Sequence, residues 1–294
     1  REILPLLAEA WVQCGLAKYA RGGNPSDELG KALEITRKRE KQEPGNINIA
    51  IRARELLLSK ESFGPSEGPI EWKELETSLE ELSQFVEKEP KNLLLRMKRA
   101  NFAYQLATLK NRNRKPLQGL VELVIQDTTR CMEQPSLARK ALMLRALIRG
   151  TYAIEAASGN KIMTALKQLD QCGLDFELIL KQTPNYLQAY LFRAEIYFNA
   201  LAQNPDGFLR LGGRTNVIGL LHVIYEDLLR VLAPSDNAQA FLLRAQVELL
   251  ELFLNRGKTT KEEGESLAKR CQEDAKKGAA FDPARSRYVV LAGQ

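Results

Sequence analysis

The residues that could do covalent chemistry in this chain are few, and their spacing argues against it. One histidine, His222, sits in the apolar run GLLHVIYEDLL with no serine or cysteine beside it to activate, so it is expected to be structural. The cysteines Cys14, Cys131, Cys172 and Cys271 are far apart and form no CxxC pair, which excludes a zinc-finger spacing or a dithiol redox motif. They are expected to be buried small apolar residues in a reducing compartment, cytoplasmic or nuclear. The stretch LGGRTN lacks the lysine and spacing of a phosphate-binding loop. No cofactor, metal or catalytic residue is expected, and the chain is not expected to be an enzyme.

A different residue type recurs with regular spacing. Arg99, Arg145, Arg193 and Arg244 each precede an alanine, and Ala53, Ala100, Ala146, Ala194 and Ala245 are 47, 46, 48 and 51 residues apart. Each pair follows a proline and an apolar turn, most clearly in TPNYLQAYLFRAEIYFN from Thr183 to Asn199. A recurrence of this length is the signature of stacked supersecondary units. The arginine stem is expected to pack between repeats, with its guanidinium on a carboxylate or carbonyl of the adjacent helix. The alanines, with Cys172 and Cys271 twelve residues before Pro184 and Pro283, fall where helices approach closely.

The elements that must position these residues are helices throughout. Apolar residues recur three and four apart, and no segment alternates over enough residues to compete as a strand. Residues 1–21 read as a helix ending at Gly22-Gly23-Asn24-Pro25, and Ser26 and Asp27 are placed to cap the next. Short turns make successive helices antiparallel hairpins. The expected hairpins cover 1–43, 44–89, 90–134, 135–183, 184–233 and 234–282, with 283–294 opening another first helix and the whole of 1–294 forming one array. The 294 residues are 44% hydrophobic and 27% charged, an ordinary globular balance. No run reaches the length of a membrane span, so no insertion is expected. Arg1 in place of Met, and an ending inside a helix, suggest a fragment of a longer protein.

These features resemble the tetratricopeptide repeat. Tyr190, Ala194 and Tyr197 on a first helix, and Cys172, Phe176 and Pro184 on the preceding second helix, fill that family's aromatic, small and proline positions. The resemblance implies an all-α, right-handed superhelical solenoid of antiparallel helical hairpins, about six plus a terminal helix. Repeats of 46–51 residues depart from the family's 34, and lengthened helices are expected to hold the excess. HEAT-like repeats are the alternative with a nearer period, but the proline-to-Arg-Ala register favours the first resemblance.

The resemblance also implies a concave groove lined by first helices, taking a peptide or helical segment of a protein partner. By register that groove would present Leu7 and Trp11, then Ala50 and Arg54, Met97, Asn101 and Tyr104, and Met143 and Leu147. Further on it would present Leu191, Glu195 and Phe198, then Leu242 and Gln246. Trp11, Tyr104 and Phe198 are the expected anchors. The carboxylate clamp of chaperone-binding members is not expected, because Met97 and Met143 stand where it would need lysines and only Asn101 matches.

Charge is the remaining signal. The formal charge of +6 is local: residues 91–149 hold thirteen Lys and Arg against three Asp and Glu, so the rest of the chain is net negative. Lys98, Lys110, Arg112, Arg114, Lys115, Arg139, Lys140 and Arg149 form a candidate basic patch. It would attract an acidic or phosphorylated segment of a partner or, alternatively, RNA or another polyanion. A solvated face plus a basic turn, KNRNRK, is the plainer reading of the same residues.

Overall fold

A computed structural model describes residues 3–63, 70–234, 236–255 and 260–281. Most of the expected loop 63–69, the turn around Gly257 and the expected helix 283–294 lie outside the described residues. The described chain is all-α, with no strand. Contacts divide it into two units, Arg1–Leu144 and Arg145–Gln294.

The first unit contains α1 (Ile3–Ala20), α2 (Ser26–Gln42), α3 (Ile47–Ser62), α4 (Trp72–Lys88), α5 (Leu93–Arg112) and α6 (Gln118–Cys131), and the division falls within α7 (Pro135–Ser158). The second unit continues through α8 (Ile162–Gln182) and α9 (Leu187–Gln203) to a one-turn α10 (Pro205–Gly207) with a π-helical turn at Phe208–Gly212. It ends with α11 (Arg214–Leu232), α12 (Ala238–Leu254) and α13 (Lys261–Phe281). The long period resides mainly in the helices: α7 has 24 residues, and α8 and α13 have 21 each. The exception is the link from α9 to α11, where an inserted segment, 204–213, carries α10 and the π-turn.

Local sequence explains where the helices begin. Asn46, Asn92 and Asn237 cap α3, α5 and α12, each accepting a hydrogen bond from the backbone N–H three residues on. Asn46 and Asn92 are themselves held by Glu43 and Glu89 across the same Glu-Pro-x-Asn turn. Pro135 opens α7, where its missing N–H costs nothing. At α2 the expected cap differs. Ser26 and Asp27 lie inside the helix, and Asn24 Oδ1 accepts from Ser26 N at 2.9 Å.

The recurring arginine is the main tie within each of the last four hairpins. Arg99 places Nε and Nη2 2.7 and 2.8 Å from the two carboxylate oxygens of Asp127. Arg193 repeats the bidentate geometry on Asp227 at 2.8 and 2.7 Å. Arg145 reaches Asp175 at 2.6 Å, and Arg244 reaches Asp274 at 2.7 Å through Nη2 with a second, shorter bond through Nε. Each pair joins the first helix of a hairpin to its second, and all four aspartates are buried. In the second hairpin the pairing takes another form: Arg54 bonds both Glu40 of α2 and Glu81 of α4.

Small residues stand beside these pairs. Ala100, Ala146, Ala194 and Ala245 are fully buried, and the Cys172 and Cys271 thiols donate to the carbonyls of Ala146 and Ala245 at 3.2 and 3.4 Å. Tyr197 sends its hydroxyl to Leu169 O at 3.2 Å across Gly173, where any Cβ would collide with the phenol oxygen. In the first unit the aliphatic core runs from Leu29 and Leu33 through Leu56, Leu57 and Leu58 to Leu75, Leu82, Phe102 and Leu106.

Removing one arginine strands a buried carboxylate, which costs about 3–5 kcal/mol when no other cation is near. Asp127 also receives Arg96 at 3.1 Å, whereas Asp227 is bonded by Arg193, with Arg230 acting on it at longer range. Arg193→Ala is therefore expected to lower unfolding free energy by more than Arg99→Ala, a ranking that urea denaturation of the two variants would check.

Candidate functional site

The first helices carry two kinds of position. That of the alanine is closed by packing and that of the arginine is tied to its aspartate, whereas the residue after each alanine reaches solvent: Arg54, Asn101, Leu147 and Glu195 are half-buried and Gln246 is exposed. Three residues before the alanine, Met97 and Met143 are half-buried, while Ala50, Leu191 and Leu242 are buried. Tyr104 and Phe198 are half-buried, and burial raises the Tyr104 phenol pKa. Leu7 is exposed, and Trp11 is half-buried with Lys31 Nζ 4.1 Å from its ring centroid.

Polar links join neighbouring first helices along these surfaces. Arg52 of α3 meets Glu9 of α1 at 3.2 Å, and Lys98 of α5 meets Glu55 of α3 at 2.8 Å. In the second unit Gln239 of α12 bonds Glu195 of α9. Arg54 and Glu195, both expected to face a ligand, are thus already engaged with the protein's own groups.

The basic residues divide in the same way. Lys98 and Lys110 are paired with Glu55 and Glu76, and Arg149 binds Asp175 at 2.6 Å and Gln171 O at 3.1 Å. Arg112, Arg114 and Lys115 are exposed together in the turn from α5 to α6, with Lys115 Nζ 4.7 Å from the Trp72 ring centroid. Arg114 adopts φ of 53°, a left-handed conformation uncommon for a residue with a Cβ. Arg139 and Lys140 are exposed on α7. Three of the eight patch residues are therefore engaged by the protein's own carboxylates, and the α5–α6 turn brings three exposed cations together.

Burial pushes the Cys131 thiol up to about 11 and raises Cys172 and Cys271 as well, which keeps them from being thiolate nucleophiles. Cys14, expected to be buried, is exposed on α1. His222 is exposed on α11. Among the described residues, no group of three His, Cys, Asp or Glu side chains is placed to hold a metal ion. Likewise, no helix among them is long and apolar enough to cross a membrane.

Two features escaped the sequence reading. One is the aspartate of each pair, which follows its arginine by 28, 30, 34 or 30 residues and so breaks any fixed spacing. The other is the polar cluster beside the last pair, where Tyr225 donates to Glu251 at 2.8 Å and Glu248 lies buried, 3.7 Å from Arg270.

No protein-family model matches the chain, and no curated protein sequence does. Among solved structures it is similar to a tetratricopeptide repeat protein from Parabacteroides merdae ATCC 43184. The likeness is at 15% identity, with a TM-score of 0.36, over 98% of this chain and 99% of that one.

Burial, reinforced by the negative charge of Asp274, pushes the Glu248 carboxyl up to about 7, against the opposing pull of Arg270 and Arg244. A carboxyl whose folded value lies above its unfolded one makes the fold bind more protons, so this group lowers stability as pH rises from about 4.5 through about 7. Glu248→Gln is expected to raise the melting temperature at pH 8 and to change it little at pH 4.5, measured by thermal circular dichroism.

Proposed function

We propose that this chain is a non-enzymatic interaction scaffold that binds a peptide or helical segment of a protein partner along the exposed side of its first helices. The observation that carries this reading is the contrast between adjacent positions. The arginine and alanine recur from hairpin to hairpin, while the solvent-reaching residue directly after them changes from Arg54 to Asn101, Leu147, Glu195 and Gln246. A surface that changes residue by residue on a repeating frame suits recognition of an extended or helical ligand with different side chains along its length. Tyr104 and Phe198 supply partly exposed aromatic area, the kind that dominates binding energy.

The turn Arg112–Arg114–Lys115 adds positive charge that favours an acidic or phosphorylated stretch in the same partner. The polyanion reading is less well supported, because Lys98, Lys110 and Arg149 are held by carboxylates.

A partner captured on the immobilised chain, then purified and titrated by calorimetry, provides the test. Tyr104→Ala and Phe198→Ala are each expected to weaken binding about tenfold, equivalent to about 1.4 kcal/mol. Reversal of Arg112, Arg114 and Lys115 to Glu should slow association and reduce its salt dependence. Unchanged affinity in all of these variants would reject the first-helix surface. Retention of labelled RNA with a steep loss on added salt would favour the polyanion reading instead.

A further inference from the structure

The position four residues after each recurring arginine lies one turn along the same helix face, and its occupant changes from hairpin to hairpin. It is Ala103 in α5, Arg149 in α7, Tyr197 in α9 and Glu248 in α12. Ala103 is neutral and fully buried, Arg149 adds a second cation to Asp175 at 2.6 Å, and Tyr197 gives its hydroxyl to Leu169 O. In the last of these hairpins the sign is reversed: Glu248 brings a second buried carboxylate beside the pair of Arg244 and Asp274.

The groups around Glu248 leave that charge poorly compensated. Glu248 is 3% exposed, and its Oε2 has no hydrogen-bond donor. Its Oε1 is 3.7 Å from Nε of Arg270, beyond hydrogen-bond reach, and the Arg270 side chain is 60% exposed. Arg244 is turned to Asp274, which it bonds through two nitrogens. Glu251 of the same helix adds further negative charge, and Tyr225 of α11 gives its hydroxyl to Glu251 instead. The Cys271 thiol of α13, the remaining titratable neighbour, donates to Ala245 O. A buried carboxylate in this company is either neutral or must reach water.

Reaching water requires α13 to move. Among the described residues α13 packs principally on α12, around the small cluster of Leu242, Ala245 and Cys271. A helix with one principal neighbour can open without unfolding the helix beneath it. We propose that a proton on Glu248 latches α13 onto α12, and that loss of this proton to solvent releases the helix and uncovers Leu242 and Ala245. This pH-sensitive device lies in the last described hairpin and does not rest on the first-helix binding reading.

Cys271 is a built-in reporter, because it is buried at the contact and iodoacetamide reaches it only when α13 opens. The whole protein is alkylated at pH 6 and at pH 8, and Cys271 and Cys172 are followed by mass spectrometry. Each rate is divided by that of the same cysteine in the urea-unfolded chain at the same pH, which removes the titration of the thiol itself. A carboxyl at 4.5 in the open helix and at about 7 in the docked one makes the opening constant rise about tenfold over this span. Cys271 is therefore expected to lose about tenfold of its protection in the wild type and to keep it in Glu248→Gln. Cys172, fully buried in α8, is expected to stay about tenfold or more better protected than Cys271 at both pH values. Protection of Cys271 that does not change with pH, that falls equally in Glu248→Gln, or that matches that of Cys172 would overturn the proposal.

Discussion

A guanidinium, buried at Arg99 and half-buried at Arg145, Arg193 and Arg244, bonded through two nitrogens to a buried aspartate is the interaction on which this structure depends. Desolvating both ions costs several kcal/mol each, and only good geometry with satisfied lone pairs repays it. The pairs of Arg99 and Asp127 and of Arg193 and Asp227 meet that condition with two short bonds apiece. An apolar contact between two helices tolerates sliding by a turn, but a fork-shaped bond to one carboxylate does not. The pair therefore sets which turn of the first helix faces which turn of the second. The adjacent alanine then lets the backbones close, and the thiols of Cys172 and Cys271 satisfy carbonyls at that same level.

With register fixed by a few inward residues, the outward residues are released from structural duty. This separation explains how neighbouring residues on one helix differ so much in character. Arg193 and Ala194 are committed to the frame, while Glu195 and Phe198, a residue and a turn further on, meet solvent in part. It also explains the fate of the charge. Carboxylates hold Arg96, Lys98, Arg99, Lys110, Arg145 and Arg149, so these six of the thirteen cations in residues 91–149 are engaged by the protein's own groups.

The frame was legible in the sequence because it repeats. The Arg-Ala period, the prolines between hairpins and the all-helical apolar spacing each point to stacked helical hairpins, and the lengthened helices account for most of the long period. The carboxylate that receives each arginine was not identified, since an aspartate in an apolar helix reads locally like a surface residue and its distance from the arginine drifts from 28 to 34 residues. The drift has a physical origin in turns and insertions of different length between the paired helices, the longest being 204–213. Ion pairing of the basic residues was equally hidden, because Lys98 finds Glu55 and Lys110 finds Glu76 only after the helices pack. Cys14 shows the opposite error, a residue type usually buried that stands exposed on α1.

The most direct measurement of this account is a double-mutant cycle on Arg193 and Asp227, using Arg193→Met, Asp227→Leu and the combined variant in equilibrium unfolding. If the pair fixes register through a buried, mutually satisfied bond, each single change leaves an unpaired charge and the double change restores much of the lost stability. Additive losses, with the double variant as unstable as the sum of the singles, would contradict it.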